Sequence, residues 1–523
     1  MAHLDALLTF IVSFLASTTR SVSAVPCEVS LPQETSEICK AMRDKELAGK
    51  QATFTYKFDA SVHGFALLNM TPSELAVLLT QDPFSRYWVT SYLSTVLASN
   101  ASLYQYLSIT GGKEITNISE YLPLSAFFQS FLEPAIGKYA RRPSRYEAFI
   151  RKKPLWISDK YFTQQRLAGT NPMSIRQVTI HGDSAVFTPS DGDNWMLAKL
   201  NVQVTDLGYS QIVEHLAKVH YLMEPFCVSL KRTLAALHPL NQMLKYHCRE
   251  IVVPNAFSTP ALVGEQGFVD LLFAIGNEGA LRLLRDGHQY ATWEATDFRA
   301  QIKKRGLADK KLVPYFPYRD DIEEILQVIE KVAESYVYLY YDNDKDVQED
   351  SELQAYANEL SINGTGPNGG IGRIQGFPAK IDSKKDLVDI VARIISQVTI
   401  QHAAVNYELA DYAVYAPNLP TKLYDDTRVK DGEFSVYRLP NRLTSAIEAR
   451  FTNGLASFRF DSLFDYGNEL QDIKAVNIIN RHYEDLMLRV QTHMQQTNEE
   501  REKIGDLTYP YLIPRWIPNG VQT

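Results

Sequence analysis

Two histidines in the stretch VEHLAKVHYLMEPF, residues 213–226, have the residue type and the proximity of a metal pair. An imidazole nitrogen is a common ligand of transition metals. His215 and His220 are five residues apart, however, and five α-helical residues turn through about 500°, which leaves the two side chains about 140° apart. A helical metal pair normally uses a spacing of three or four residues, because such positions share one face. The spacing therefore predicts either two unrelated histidines or a helix that is not an ordinary α-helix.

A second group of polar side chains lies far downstream, in the apolar stretch TIQHAAVNYELADY. His402 and Asn406 are four residues apart, so a helix presents both on one face. A single histidine on an apolar helix is more often a hydrogen-bonded core residue than a ligand. Together with the first pair, however, these residues could converge in a helical core and bind a metal ion.

The order of the histidines makes the pattern specific. Counted from His215, they form a His-x4-His-x17-His-x8-His run that continues through His220, His238 and His247, with Glu-Pro-Phe at 224–226. This run resembles that of the lipoxygenase family. Further segments resemble the family in the expected order: DKYFTQQRLAGTNP (159–172), YFPYRDD (315–321), GFP (376–378), HAAVN (402–406) and IPNGVQT (517–523). The resemblance runs from residue 150 or so to the last residue.

The resemblance implies a geometry for the first pair and a set of ligands. In lipoxygenases the first ligand helix contains a π-type turn of about 4.4 residues, which returns positions five apart to nearly one face. The implied metal ligands are His215, His220, His402, Asn406 and the main-chain carboxylate of Thr523. Three imidazoles with oxygen donors suit iron or manganese better than tetrahedral zinc. The gap of four residues and the Glu-Pro-Phe resemble the iron enzymes, so one non-haem iron is expected, with manganese as the alternative. The other two histidines of the run are expected to be structural.

The implied activity is insertion of O2 into a polyunsaturated fatty acid that holds a cis,cis-1,4-pentadiene, giving a conjugated-diene hydroperoxide. No catalytic side chain is implied beyond the metal-bound hydroxide. By resemblance, Gln211 links the metal shell to the substrate pocket, Leu262 packs over the pentadiene, and Ser258 replaces the Ala or Gly that biases the position of oxygenation. Leu409 departs from the family, which usually has Gln three residues after the Asn ligand. Two alternatives stay open: a secreted lipid-binding protein on a degenerate lipoxygenase scaffold, and a fatty-acid hydroperoxide isomerase.

The elements that would position these residues are mainly helical. The resemblance implies a mainly α, lipoxygenase-like catalytic domain with small β-sheet elements over residues 151–523, preceded by a helical segment over 25–150 that packs on it. Long helical patterns cover 210–237, 239–247, 264–286, 320–342, 383–412 and 467–501. The stretch 174–206 is richer in β-branched residues and predicts a small sheet. No series of alternating strands predicts an N-terminal β-sandwich.

The first 24 residues predict a secretory signal peptide, because the apolar run 7–16 is too short to span a bilayer and small residues precede a cleavage site after Ala24. We therefore expect a secreted, extracellular protein without a transmembrane segment. The net charge of −8 favours neither nucleic acid nor an anionic membrane as a partner. The expected partners are a fatty acid and O2, and the expected state is a monomer.

Secretion changes how the four cysteines are interpreted. Cys27 and Cys39 are close enough in sequence for a disulfide, whereas Cys227 and Cys248 are expected to be buried free thiols. Four Asn-x-Ser/Thr sequons predict glycosylation sites at Asn69, Asn100, Asn117 and Asn363. The last begins the glycine-rich stretch 363–376, which follows a helix and lacks Gly-Lys-Ser/Thr, so it predicts a loop rather than a phosphate site.

Overall fold

The computed structural model describes residues 27–58, 64–70, 74, 175–178, 184–191, 193–311, 313, 316–409, 413, 419–423, 440, 445, 448, 449, 452, 455, 456, 461–504 and 508–522. Within these ranges the chain is mostly helical, with two small antiparallel sheets of two strands each. This confirms the prediction of a mainly α fold with small β elements.

The N-terminal residues that the structure describes include a long helix and a short ribbon. Helix α1 (Glu37–Thr53) begins after Ser36, whose hydroxyl accepts a hydrogen bond from the Cys39 backbone N–H. Strand β1 (Tyr56–Lys57) pairs with β2 (Leu67–Leu68). Cys27 and Cys39 are joined by a disulfide that ties the chain before α1 to its first turn.

The second sheet occupies only part of the predicted β region. Strand β3 (Ile175–Val178) pairs with β4 (Ser184–Phe187), as the β-branched stretch predicted. The remainder of that prediction is wrong, because helix α2 begins at Asp193 and continues to Tyr209. Leu200, Val204 and Leu207 follow one another at helical spacing and are buried. Packing of this apolar face overrides the local β preference of the sequence NVQVTD.

In the described ranges, three π-helical segments interrupt the helices. The first π segment (Ser210–Tyr221) follows α2 directly and continues into α3 (Leu222–Thr233). The next helices are α4 (Pro239–Cys248), α5 (Val252–Val263), α6 (Phe268–Leu272), α7 (Gly276–His288), α8 (Phe298–Lys304), α9 (Pro317–Tyr340), α10 (Asp344–Glu349) and α11 (Ser351–Leu360). Then come α12 (Lys384–Ser396), the second π segment (Gln397–Gln401), α13 (His402–Asn406), α14 (Ile473–Asp485), the third π segment (Leu486–Val490) and α15 (Gln491–Lys503).

One large hydrophobic core joins most of these parts, whereas Leu207 of α2 belongs to a separate small cluster. The large core includes Leu31, Phe54 and Phe65 near the start of the described chain, the buried faces of the long helices, and Val521 of the tail. Helix α9 packs along α12, while the first π segment packs against α7 and α13. Burial of apolar side chains is the main driving force for such packing. It holds the two histidine-bearing segments side by side.

The helices and the sequons bear on the environment of the chain. Among the helices of the described ranges, none is long and apolar enough to cross a lipid bilayer. The glycine-rich stretch after α11 is a loop, as predicted, and Asn363 at its start is exposed. Asn69 is also exposed, whereas Asn100 and Asn117 lie outside the described residues.

Candidate metal centre

Three imidazoles converge in the interior. The nearest ring nitrogens of His215, His220 and His402 all lie within 4.8 Å of one another. His220 and His402 are buried, and His215 is partly buried. His215 and His220 come from the first π segment, and His402 is the first residue of α13. The structure therefore brings together the three histidines that the sequence singled out.

The π geometry explains the spacing of the first pair. At the end of the first π segment, the backbone N–H of Leu222 donates to the Ala217 carbonyl, five residues earlier, as a π-helix requires. Pro225 has no N–H, and its ring excludes α-helical bonding to the carbonyl four residues before it, which belongs to Tyr221. Regular α-helical hydrogen bonding is therefore interrupted in the segment that carries the two histidines. The predicted widened turn between His215 and His220 is confirmed.

Gln211 orients His215. Its Oε1 accepts from His215 Nδ1 at 2.9 Å, while its Nε2 donates to the Val405 carbonyl at 3.1 Å. The Gln211 amide therefore orients the His215 ring and also binds the backbone of α13, which carries His402. By resemblance, Gln211 was expected to link the metal shell to the substrate pocket. In the structure its hydrogen bonds link the two histidine-bearing segments.

Asn255 orients His220. Its Oδ1 accepts from His220 Nδ1 at 2.7 Å, and its Nδ2 donates to Glu224 Oε2 at 2.6 Å. Glu224 Oε1 in turn accepts from the backbone N–H of Leu68 at 2.6 Å. Burial raises the pKa of Glu224 to about 7, although both N–H donors oppose that shift. Sequence reasoning missed Asn255, because it lies 35 residues from its partner, and it treated Glu224 only as part of a motif.

These outer hydrogen bonds fix the tautomers of the first pair. Because both amides accept from Nδ1, the Nδ1 atoms of His215 and His220 carry the protons and each Nε2 presents a lone pair. The two Nε2 atoms face one another at 3.0 Å. Two lone pairs at this distance repel unless an electrophile lies beside them. Ligands bound at about 2.1 Å lie about 3.0 Å apart at right angles and about 3.4 Å apart in a tetrahedron. The donor set therefore fits a metal ion.

The C-terminal tail is fixed in the interior next to α4. Asn519 Nδ2 donates to the Tyr246 carbonyl at 2.6 Å, and the Asn519 carbonyl lies 2.6 Å from His247 Nδ1. Gln522 is fully buried and donates to Asn519 Oδ1 at 2.7 Å. Thr523, the expected carboxylate ligand, lies outside the described residues.

The other predicted site residues lie on the same helices. Asn406 is buried at the end of α13, four residues after His402. Ser258 and Leu262 are on α5, the helix that also carries Asn255, and Leu262 is partly buried against the core. Leu409, which takes the place of the family glutamine, packs beside a small apolar cluster that contains Leu207.

The remaining histidines of the run are structural, as predicted. His238 Nδ1 accepts from the Leu240 N–H and so caps α4, while its Nε2 contacts Asp350 at 2.9 Å. The Nε2 atom of His247 lies 2.6 Å from the Tyr466 hydroxyl and is hydrogen-bonded to it. Burial lowers the pKa of His247 to about 4, so this ring is neutral near pH 7.

The prediction of two free thiols is wrong. Cys227 on α3 and Cys248 at the end of α4 form a disulfide, and in the described part of the chain no free cysteine is found. Both are buried helical residues, which is why the sequence suggested ordinary apolar packing. What the sequence could not give is the hairpin of α3 and α4, which brings their Cα atoms to 5.2 Å.

Comparison with known proteins agrees with this geometry. The lipoxygenase family model matches residues 181–502, which is more than half of the chain and includes all three converging histidines. The chain belongs to the lipoxygenase family. Its members usually bind non-haem iron.

Curated relatives are lipoxygenases and hydroperoxide isomerases. The chain is 28% identical over 348 residues to an allene oxide synthase-lipoxygenase protein of Plexaura homomalla, a match of 65% of this chain and 32% of that protein. It is 32% identical over 254 residues to a linoleate 9/13-lipoxygenase of Pseudomonas aeruginosa, covering 47% and 34%. It is 30% identical over 255 residues to the human hydroperoxide isomerase ALOXE3, covering 48% and 35%. The match spans about a third of the length of each relative.

The fold agrees with solved lipoxygenase structures. The crystal structure of coral 8R-lipoxygenase aligns with a TM-score of 0.73 over 95% of this chain and 83% of that one, at 21% identity. At this identity the likeness shows the fold, and it confirms the lipoxygenase-like helical architecture predicted from the sequence.

Proposed function

We propose that this lipoxygenase-family chain is a non-haem iron dioxygenase that inserts O2 into polyunsaturated fatty acids containing a cis,cis-1,4-pentadiene. The observation that carries the proposal is the pair of Nε2 atoms of His215 and His220 held 3.0 Å apart, with the ring of His402 beside them. Iron bound there would supply the one-electron oxidation that activates the bis-allylic C–H bond. Manganese is the alternative metal.

The roles of this chain's residues follow from their contacts. His215, His220 and His402 are the proposed ligands, with Asn406 and the Thr523 carboxylate as further oxygen donors by family resemblance. Gln211 and Asn255 hold Nδ1–H of the first two imidazoles, which keeps each Nε2 directed at the metal. Ser258 and Leu262 are proposed to line the substrate pocket.

The proposed location is extracellular. The N-terminal signal-like sequence and the exposed sequons at Asn69 and Asn363 support it. Two disulfides also suit an oxidising compartment, since such bonds are rare in the cytosol. Mass spectrometry of protein secreted by a eukaryotic host would test cleavage after Ala24, glycan attachment and the state of the cysteines together.

The decisive experiment combines metal analysis with product formation. Purified protein should contain about one iron per chain, and in air it should convert linoleate or arachidonate into products with conjugated-diene absorbance. His402→Ala is the matched control and should lack both the metal and the products. Protein that holds neither iron nor manganese, and is inactive on both acids, would instead indicate a lipid-binding protein on this scaffold.

A hydroperoxide isomerase is the second candidate, and the match to ALOXE3 favours it. The two activities differ in their need for oxygen, because isomerisation consumes a fatty-acid hydroperoxide without O2. The protein should therefore be offered linoleate in air and linoleate hydroperoxide under argon. Turnover only in the second case would replace the dioxygenase proposal.

A further inference from the structure

A cavity lies between the two histidine-bearing segments and helices α8 and α9. It has a volume of about 70 Å³ and is lined by Glu214 and Lys218 of the first π segment and by Gln397 and Gln401 of the second. None of these residues is a proposed metal ligand or holds a ligand imidazole. Glu214 and Gln401 nevertheless directly precede His215 and His402 in the chain.

Gln401 carries a buried amide donor in the wall of this cavity. Its side chain is 7% exposed, and its Oε1 accepts from the Tyr318 hydroxyl at 2.7 Å. Its Nε2 meets no acceptor in the described part of the chain. A buried amide donor without an acceptor destabilises the folded state, so binding of an acceptor in the cavity would be favoured.

The charge and lining of the cavity define that acceptor. Among the lining residues, Lys218 and Arg305 carry positive charges and Glu214, which Lys218 contacts at 2.6 Å, carries the negative charge. An anion is therefore favoured over a cation. Apolar side chains complete the walls: Phe298, Ile302, Ile322, Leu326 and Ile400. The ligand should consequently combine an anionic acceptor with a short apolar part.

The volume limits the length of that apolar part. One water requires about 10–15 Å³ of such space, so the cavity has room for about five to seven small groups. We propose that it binds a short-chain carboxylate of about two to four carbons, whose oxygen accepts from Gln401 Nε2. The proposal does not depend on the dioxygenase activity, since it rests on a cavity separate from the metal ligands.

Thermal unfolding of the full-length metal-loaded protein tests the proposal. Sodium propionate should raise the melting temperature in a saturable manner, relative to sodium chloride at equal ionic strength, because a ligand that binds only the folded state stabilises it. Gln401→Leu removes the donor and should weaken propionate binding roughly tenfold. Gln301→Leu is the matched control, because Gln301 lines the same cavity but already donates to the Glu294 carbonyl at 3.0 Å.

The other outcomes overturn the proposal. They are no stabilisation beyond chloride, equal stabilisation of the wild type and Gln401→Leu, stabilisation by methylammonium instead, and tighter binding of octanoate than of propionate. Tyr318→Phe serves if Gln401→Leu does not fold. It leaves Gln401 in place but releases its Oε1, so weaker propionate binding is again expected, and unchanged binding would refute the role of Gln401.

Discussion

The four histidines between residues 215 and 247 form two pairs that differ in what their ring nitrogens contact. In His238 and His247 both nitrogens have partners from the protein: a helix N–H and Asp350 for the first, a tail carbonyl and a tyrosine hydroxyl for the second. In His215 and His220 an amide holds only Nδ1, and the Nε2 atoms face one another.

The difference shows that residue type and burial do not decide whether a histidine can bind metal. All four are largely buried on consecutive helices, yet only one pair keeps lone pairs directed at a common point. What separates them is the hydrogen-bond partner opposite each nitrogen. Variants of each pair should therefore lose different properties.

The largest effect should come from a ligand histidine. His220→Ala removes one of three converging nitrogens, and we expect metal content to fall to background and diene formation to be abolished. Elemental analysis and the diene assay measure the two properties on the same preparation. A folded His220→Ala protein that retained one metal per chain would contradict the ligand assignment.

His247→Ala should instead act on folding. It leaves the Tyr466 hydroxyl and the Asn519 carbonyl without a buried partner and opens a cavity, which should lower the free energy of unfolding by about 3–5 kcal/mol. Denaturant titration measures that loss. His493→Ala is the surface control, since His493 is 59% exposed and its contact with Glu324 should contribute under about 1 kcal/mol. Equal costs for the two variants would refute the structural role of His247.

A smaller effect on metal affinity is expected from the two amides that hydrogen-bond the ligand histidines. Asn255→Leu removes the acceptor that holds His220 Nδ1–H, and such outer-shell changes typically lower metal affinity about 10–100-fold. Competition with a chelator measures the affinity. Gln211→Leu should behave similarly through His215. Unchanged affinity in both would mean that the ring orientations are set by packing alone.

The last prediction concerns the pH dependence of stability. The pKa of His247 falls from 6.5 to about 4 on folding, so the unfolded chain binds the proton first and His247 lowers stability as the pH falls through this window. Glu224 and Glu250 have pKa values raised by burial to about 7 and act in the opposite direction, losing stability as the pH rises from 4.5. The difference between wild type and His247→Ala isolates the histidine. Denaturant titrations should show that difference shrinking from pH 6.5 towards 4, and a constant difference would mean that His247 does not titrate on folding.

The sequence predicted the centre of the site better than its surroundings. The five-residue spacing, combined with the family resemblance, predicted the π turn, because only a widened helix brings His215 and His220 to one face. It could not predict Asn255, because that contact depends on how α5 packs across the first π segment. The Cys227–Cys248 bond likewise depends on a hairpin, and the helix from Asp193 on burial of its apolar face. These are tertiary effects, which local patterns of residues do not encode.

The hydrogen-bond chain behind His220 ends on the backbone N–H of Leu68, in a two-residue strand near the start of the described chain. Glu224 accepts the hydrogen bond from this N–H with one carboxylate oxygen. Its other oxygen accepts from Asn255, which in turn holds the imidazole ring of His220. A metal that holds the ring still should therefore slow deuterium uptake at this single amide more than at its strand neighbours. Leu68 thus offers an isotopic reporter of metal occupancy that lies 152 positions along the chain from His220, the ligand to which its hydrogen bonds lead.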